Sequence, residues 1–232
     1  MISQKEILIK VIENISRNLI SAENELTELD SMGDADCGSG VRRGFEAVLN
    51  ILKELSSLEL GEILKRVGFT LAYTIGGTSG AMLGTGFIET GKGIADNKEP
   101  TVLDWINAVD GALLVIKRRG GNTKIGDKTL VDSLEPAVAA MKSVYEKIYE
   151  IQPQTTIDNT IGNNSVASPM QILPIIDAAY RAAKLGSDRT IDMIAKKGRA
   201  SYVGERSKGN RDPGSLIIVI MFESALNILK SI

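Results

Sequence analysis

Hydrophobic positions recur along most of this chain at the spacing of an amphipathic helix. Leu8, Val11, Ile12, Ile15 and Leu19 share one face, and Ser3 with Glu6 ahead of them reads as a capping box. Val41, Phe45, Val48, Leu49, Leu52 and Leu55 repeat the pattern, as do Ile63, Leu64, Val67 and Leu71. Thr101 with Asp104 predicts another cap, followed by Leu103, Ile106, Val109, Leu113 and Ile116. Leu130, Leu134, Val138, Met141, Val144 and Ile148 form a further stripe, in which Pro136 predicts a kink or a late start. Ile172, Ile175, Ile176, Ala179 and Ala183 form the next. Asp212-Pro213 reads as the cap and first residue of a last helix. Leu216–Met221 is β-branched enough for a strand, but its cap and its alanine- and leucine-rich continuation favour a buried helix. The pattern predicts an all-α chain of about eight helices, mostly antiparallel neighbours across short connections. Residues 152–169 carry no periodicity and read as a long loop. No internal repeat or linker divides the chain, so 1–232 is expected to be one domain.

Composition narrows the function classes. The 232 residues are 43% hydrophobic with a net charge of −2, enough apolar content for a core and no electrostatic footprint for nucleic acid. Aromatic residues, at 4%, offer little for stacking bases. The longest apolar run, Leu216–Phe222, is about a third of the ~20 residues a membrane span needs, and the N-terminus lacks a signal-peptide pattern. No membrane association is expected. The single cysteine, Cys37, forbids an intrachain disulfide and fits a cytoplasmic location. With no second cysteine to resolve an oxidised thiol, a small residue tolerated beside a ligand is favoured over a redox centre. The chain has no histidine. That excludes Ser-His-Asp and Cys-His catalysis, histidine-ligated metals and a phosphohistidine on this chain.

The densest chemistry lies at Asp30, Asp34 and Asp36, three carboxylates among Gly33, Gly38 and Gly40. Like charges this close repel unless solvent or a cation intervenes. Mg²⁺ prefers such oxygen ligands and commonly joins carboxylates to substrate phosphates; a solvated acidic turn is the alternative. Three more glycine-rich junctions follow: Gly76-Gly77-Thr78-Ser79-Gly80, Gly120-Gly121 with Gly126-Asp127-Lys128-Thr129, and Gly198-Arg199-Ala200-Ser201-Tyr202 through Asp212-Pro213-Gly214. Such glycines are either ordinary helix caps or places where backbone amides approach an anion. In an up-and-down helical array alternate junctions share one end, which brings all four together. Gly86 to Lys92 mimics a P-loop, but Gly93 stands where Ser or Thr is required. Neither an EF-hand loop nor a Rossmann fingerprint fits.

In order and spacing these four motifs resemble the nucleotide-binding (L-type) domain or subunit of dihydroxyacetone kinases, over nearly the whole chain. The resemblance implies a barrel of eight antiparallel amphipathic helices with the nucleotide at one end. It implies that Asp30, Asp34 and Asp36 hold two Mg²⁺ ions bridging the phosphates of ADP or ATP. Cys37, Gly38, Ser39 and Gly40 match residues approaching those phosphates, and Thr78 and Ser79 match further phosphate contacts. Gly121 and Leu130 match the adenine pocket, with Gly120 as an alternative glycine. Arg199 matches an arginine directed at the nucleotide and is grouped with the aspartates in catalysis. Asp212, Pro213 and Gly214 match a nucleotide-contacting turn, and Glu205 is placed to pair with Arg206 or Arg199.

The ketose in this family is held covalently on a histidine of a different subunit or domain, so a substrate-binding partner is implied. Phosphoryl transfer then runs from Mg²⁺-ATP to the substrate hydroxyl. The step from Asp30 to Asp34 is one residue shorter than usual, which sets Asp30 apart as a ligand. Cys37 and Asn210 replace frequent histidines. A separate subunit implies bound ADP rephosphorylated by a phosphohistidine phosphocarrier protein of the sugar phosphotransferase system, whereas Cys37 resembles forms that exchange free ATP. Other readings are a kinase partner for another small substrate and a regulatory module that binds a transcription factor. The apolar last helix is expected to be buried in the barrel or against a partner, a homodimer included.

Overall fold

The structure is a computed structural model, described here for residues 2–95, 97–150 and 168–232. Nine α-helices lie in the described residues: α1 Gln4–Ser21, α2 Glu23–Leu29, α3 Cys37–Leu55, α4 Leu60–Thr74, α5 Gly77–Gly93, α6 Val102–Arg119, α7 Val131–Glu150, α8 Pro169–Arg189 and α9 Pro213–Lys230. Two 3₁₀ stretches, Thr190–Asp192 and Arg199–Ser207, lie between α8 and α9. Apart from the short α2, each long helix packs on the next, and α9 returns to α1. The result is a closed ring of eight, as the periodicity and the resemblance predict.

The capping residues start these helices as expected. Ser3 with Glu6 and Thr101 with Asp104 form complete capping boxes. Asp212 Oδ2 accepts the amide of Ser215 at 2.6 Å, and Pro213 opens α9. The apolar stripes meet inside the ring in one main cluster centred on Leu19, Phe45, Leu71, Ile106 and Ile217. Burying each such side chain contributes roughly 1.5–3 kcal/mol. The ring closes between α1 and α9 on a polar clip: Asn18 Nδ2 donates to Ser224 Oγ at 2.8 Å, and Asn14 Nδ2 to Ser224 O at 3.0 Å. α9 is long and apolar enough to cross a membrane by length and composition, with mean hydropathy 1.4. That window is wider than the short run counted in the sequence. In the structure α9 packs against α1, α7 and α8.

Three places depart from the sequence reading. The glycine-rich stretch after Gly76 continues as helix α5, not as an open junction. Gly80, Gly84 and Gly91 face α4, and Gly86 and Gly93 face α6: a Cβ on Gly84 would lie 2.7 Å from Gly68 O and 2.7 Å from Ala72 Cβ. Helix α7 starts at Val131 and runs through Pro136, so the late start is not seen. Pro136 has no amide for the carbonyl of Asp132, and α8 crosses there at Gly186, where a Cβ would meet that carbonyl at 2.1 Å. Helix α8 begins at Pro169 on the cap Ser168, so the end of the expected loop is helical; residues 152–167 lie outside the described part.

Candidate functional site

Because neighbours in the ring alternate in direction, the α2–α3, α4–α5, α6–α7 and α8–α9 junctions gather at one end. They line a cavity of about 480 Å³, within the range of small-molecule sites. One wall is acidic. One carboxylate oxygen from each of Asp30, Asp34 and Asp36 lies within 4.8 Å of the other two. The chain achieves this despite the short spacing through a turn in which Ala35 takes a left-handed φ of 55°, and the amides of Gly33 and Ala35 both donate to Asp30 O, at 2.8 and 3.2 Å.

The three carboxylates differ in their tasks. Asp30 Oδ2 accepts the amides of Asp36 and Cys37, both at 3.1 Å, and so caps the N-terminus of α3. Burial pushes the Asp30 carboxyl above its ordinary value; the Cys37 amide opposes this, and the Asp34 and Asp36 charges add to it. Asp34 pairs with Arg199 Nε at 2.5 Å, which draws the exposed Arg199 to the acidic wall. Asp36 is exposed. Clustered, partly desolvated carboxylates fit a hard divalent cation by the chemistry of the donor set.

Helix N-termini form a further part of the lining. Gly76 has φ 78°, which a side chain would disfavour, and it turns the chain so that α5 begins with Gly77, Thr78 and Ser79 at the cavity. Arg43 of α3 fixes this turn by donating to Thr74 O at 2.7 Å and Ile75 O at 2.9 Å. With α3 and α9, three N-termini point positive dipole ends at one space. The floor is apolar, from Met82, Ile116 and Leu130. Burial pushes the Cys37 thiol up to about 12, with the Asp30 and Asp212 charges adding to it and Ser79 opposing. Burial likewise pushes the Asp212 carboxyl up to about 7, against the pull of the Ser215 amide.

A DAK2 domain model matches residues 31–162 and 155–227. The chain belongs to the DAK2 domain family. This DAK2 chain is 34% identical to the PEP-dependent dihydroxyacetone kinase, ADP-binding subunit DhaL of Escherichia coli, over 89% of each chain. It is 29% identical to a probable dihydroxyacetone kinase of Dictyostelium discoideum, spanning 97% of its own length and 33% of the relative's. Its fold resembles the dihydroxyacetone kinase of C. freundii in complex with AMP-PNP and Mg²⁺, with TM-score 0.69 and 20% identity over 98% of this chain and 34% of that one.

In the DAK2 chain the cavity brings together Asp30, Asp34, Asp36, Cys37, Gly40, Thr78, Ser79, Leu130, Arg199, Asp212, Pro213 and Gly214. Three of the residues singled out in the sequence do not line it. Gly38 instead lets two backbones meet: a Cβ there would lie 2.1 Å from Glu23 O of α2. Ser39 Oγ donates to Asp36 O at 3.1 Å. Gly121 presents its carbonyl to Lys197 Nζ at 2.9 Å, and Gly120 lines the cavity in its place. Arg199 takes Asp34, not Glu205, as its partner. Sequence reasoning passed over Arg43, Lys197 and Lys128. The motif holding Lys128 was visible, but a lysine reads as solvated until its surroundings are known.

Proposed function

We propose that this chain is the nucleotide-binding subunit of a dihydroxyacetone kinase, a phosphotransferase acting on an alcohol group. The single observation that carries this is the meeting, in one cavity, of a three-carboxylate wall, helix N-termini and an apolar floor. The names of the relatives support the assignment. In this reading 1–232 is one L-type domain.

Asp30, Asp34 and Asp36 hold Mg²⁺, two ions by the family pattern. When bound, the metal would supply charge neutralisation for the phosphates. The amides opening α3 and α5, with Thr78 and Ser79, cradle the phosphates. Leu130, Met82 and Ile116 receive the adenine beside Gly120. Arg199 is positioned to exchange its Asp34 contact for a phosphate oxygen, and Asp212 fixes the turn through Gly214. A histidine-free chain leaves the ketose to a substrate-binding partner subunit that closes over the cavity. The similarity to a PEP-dependent, ADP-binding subunit supports ADP that stays bound and is rephosphorylated by a phosphocarrier protein; Cys37 supports the second reading, exchange with free ATP. A cytoplasmic location goes with either.

The test is a coupled assay with a substrate-binding subunit and dihydroxyacetone, alongside analysis of nucleotide in the purified protein. Retained ADP that turns over only with a phosphocarrier and phosphoenolpyruvate supports the first mode. An empty site that turns over with millimolar ATP supports the second. A chain that binds no adenine nucleotide overturns both.

A further inference from the structure

Lys128 is the one buried lysine or arginine among the described residues, 5% exposed. Its ammonium donates to three backbone carbonyls, Met193 at 3.2 Å, Ser207 at 2.5 Å and Asn210 at 2.7 Å. An ammonium has three protons, so all are committed and none remains for a ligand. All three acceptors lie between α8 and α9, in the segment that carries Arg199.

Apart from the 3₁₀ stretch Arg199–Ser207, which is kinked at Gly204, that segment is irregular. Gly198, Gly204 and Gly209 take φ of 67°, 55° and 97°. Its other ties to the rest of the chain are Met193 N to Thr190 O at 3.1 Å, Lys196 N to Asp127 O at 3.1 Å, Gly209 N to Ile191 O at 2.8 Å, Lys197 Nζ to Gly121 O at 2.9 Å, the Lys196–Asp127 pair at 4.0 Å and the Arg199–Asp34 pair, while Ala195 N to Ser207 Oγ at 2.9 Å joins two parts of the segment itself. The loop that supplies Lys128 is firmly held. Asp132 accepts the amides of Gly126 at 2.6 Å and Thr129 at 2.7 Å. Asp127 Oδ2 accepts the amide of Lys124 at 3.0 Å. Lys128 keeps a left-handed φ of 60°, a conformation L side chains adopt only when surroundings impose it. Burial pulls the Lys128 ammonium below its ordinary value, while the Asp212 and Asp192 carboxylates favour its charge.

We propose that Lys128 is a positioning residue: it clamps the 193–210 segment over the cavity, so that Arg199 and the Asp212 turn stay in place and bound nucleotide is retained. The clamp itself rests on the contacts of Lys128. Its effect on nucleotide rests on the proposed function above. Lys128 acts through the backbone of the segment and touches no reacting atom.

The experiment combines amide hydrogen exchange of the ligand-free protein with the dissociation rate of a fluorescent ADP analogue in the presence of Mg²⁺. Lys128→Met is expected to speed exchange at least tenfold within 193–210, leave α1 and α3 at wild-type rates, and speed dissociation at least tenfold. Ser224→Ala, which loosens the α1–α9 clip well along α9 from the cavity, is expected to lower stability without changing either readout. If Lys128→Met does not fold, Lys128→Gln carries the same test, with at least threefold effects expected. Wild-type exchange in 193–210, or exchange raised equally throughout the chain, overturns the clamp. Locally fast exchange with unchanged dissociation overturns the link to nucleotide retention. A wild-type chain that binds no ADP analogue overturns the functional reading and that link, while exchange still judges the clamp.

Discussion

Asp30 has two tasks that a pair of substitutions separates. Its Oδ2 caps α3 through the amides of Asp36 and Cys37, and its charge adds to the acidic wall. Asp36 is the N-cap residue itself, but losing the Asp30 acceptor leaves two amides at the start of α3 without their partner, a loss comparable to that of an N-cap side chain, about 0.5–2 kcal/mol. The Asp30 carboxyl is held above its ordinary value, so its charge costs the fold some stability and removing that charge offsets part of the lost cap. Asp30→Ala loses the cap and the charge; a net loss of about 1 kcal/mol lowers Tm by about 2–4 °C for a chain of this size. Asp30→Asn keeps an acceptor and loses the charge, so its Tm without ligand is expected within about 1 °C of wild type or above it. Mg²⁺-ADP at a hundred times Kd adds about 2.7 kcal/mol of stability, or roughly 5–10 °C, to the wild type. Both variants should lose most of that shift. Differential scanning calorimetry with and without Mg²⁺-ADP measures all six values. An Asn variant as unstable as the Ala variant would refute the separation of cap from charge. A full ligand shift in either would remove Asp30 from the proposed metal ligands.

Other consequences are as direct. Gly84→Val forces a branched side chain where a Cβ already lies 2.7 Å from Gly68 O and Ala72 Cβ, so urea unfolding should show a loss of at least about 3 kcal/mol or no soluble protein. Gly111→Ala, in α6 with nothing within 4 Å of its Cβ position, should gain about 0.5–1 kcal/mol from helix propensity. Cys37, with its thiol pushed up to about 12, has a thiolate fraction of ~10⁻⁴ at pH 8, and iodoacetamide should label it only after unfolding. The Asp212 carboxyl, raised to about 7, holds its proton more tightly folded than unfolded. Its contribution is therefore full below about pH 4 and lost as pH rises towards 7. Asp212→Asn, which retains a capping side chain, should flatten the pH dependence of denaturant stability across that window.

The sequence discloses the helices whose apolar residues recur at 3.6 spacing, and with them the ring and its shared end. It hides α5. That helix is recognised by glycines at Gly80, Gly84 and Gly91 that admit α4, a pattern indistinguishable from a loop when judged by propensity. The acidic wall is legible because three carboxylates among glycines have few packing explanations. Its capping task is not, since an acceptor's partners depend on a turn through Ala35. Lys128 is the clearest concealed element. Its role comes from three carbonyls some 65 to 82 positions further along the chain, which no local pattern encodes. Gly38 and Ser39 carry a second task that the motif match does not reveal: Gly38 admits α2 and the Ser39 hydroxyl donates to the Asp36 carbonyl.

Isothermal titration of ADP into the nucleotide-free chain, with Mg²⁺ and then with EDTA, tests the central claim most directly when repeated on Asp36→Ala. Asp36 is exposed and its side chain holds up no part of the core. Saturable one-site binding that requires Mg²⁺ in the wild type, and disappears in a folded Asp36→Ala, is the predicted result. Equal affinity in EDTA, or in the variant, would contradict a metal-bridged nucleotide held by the three aspartates.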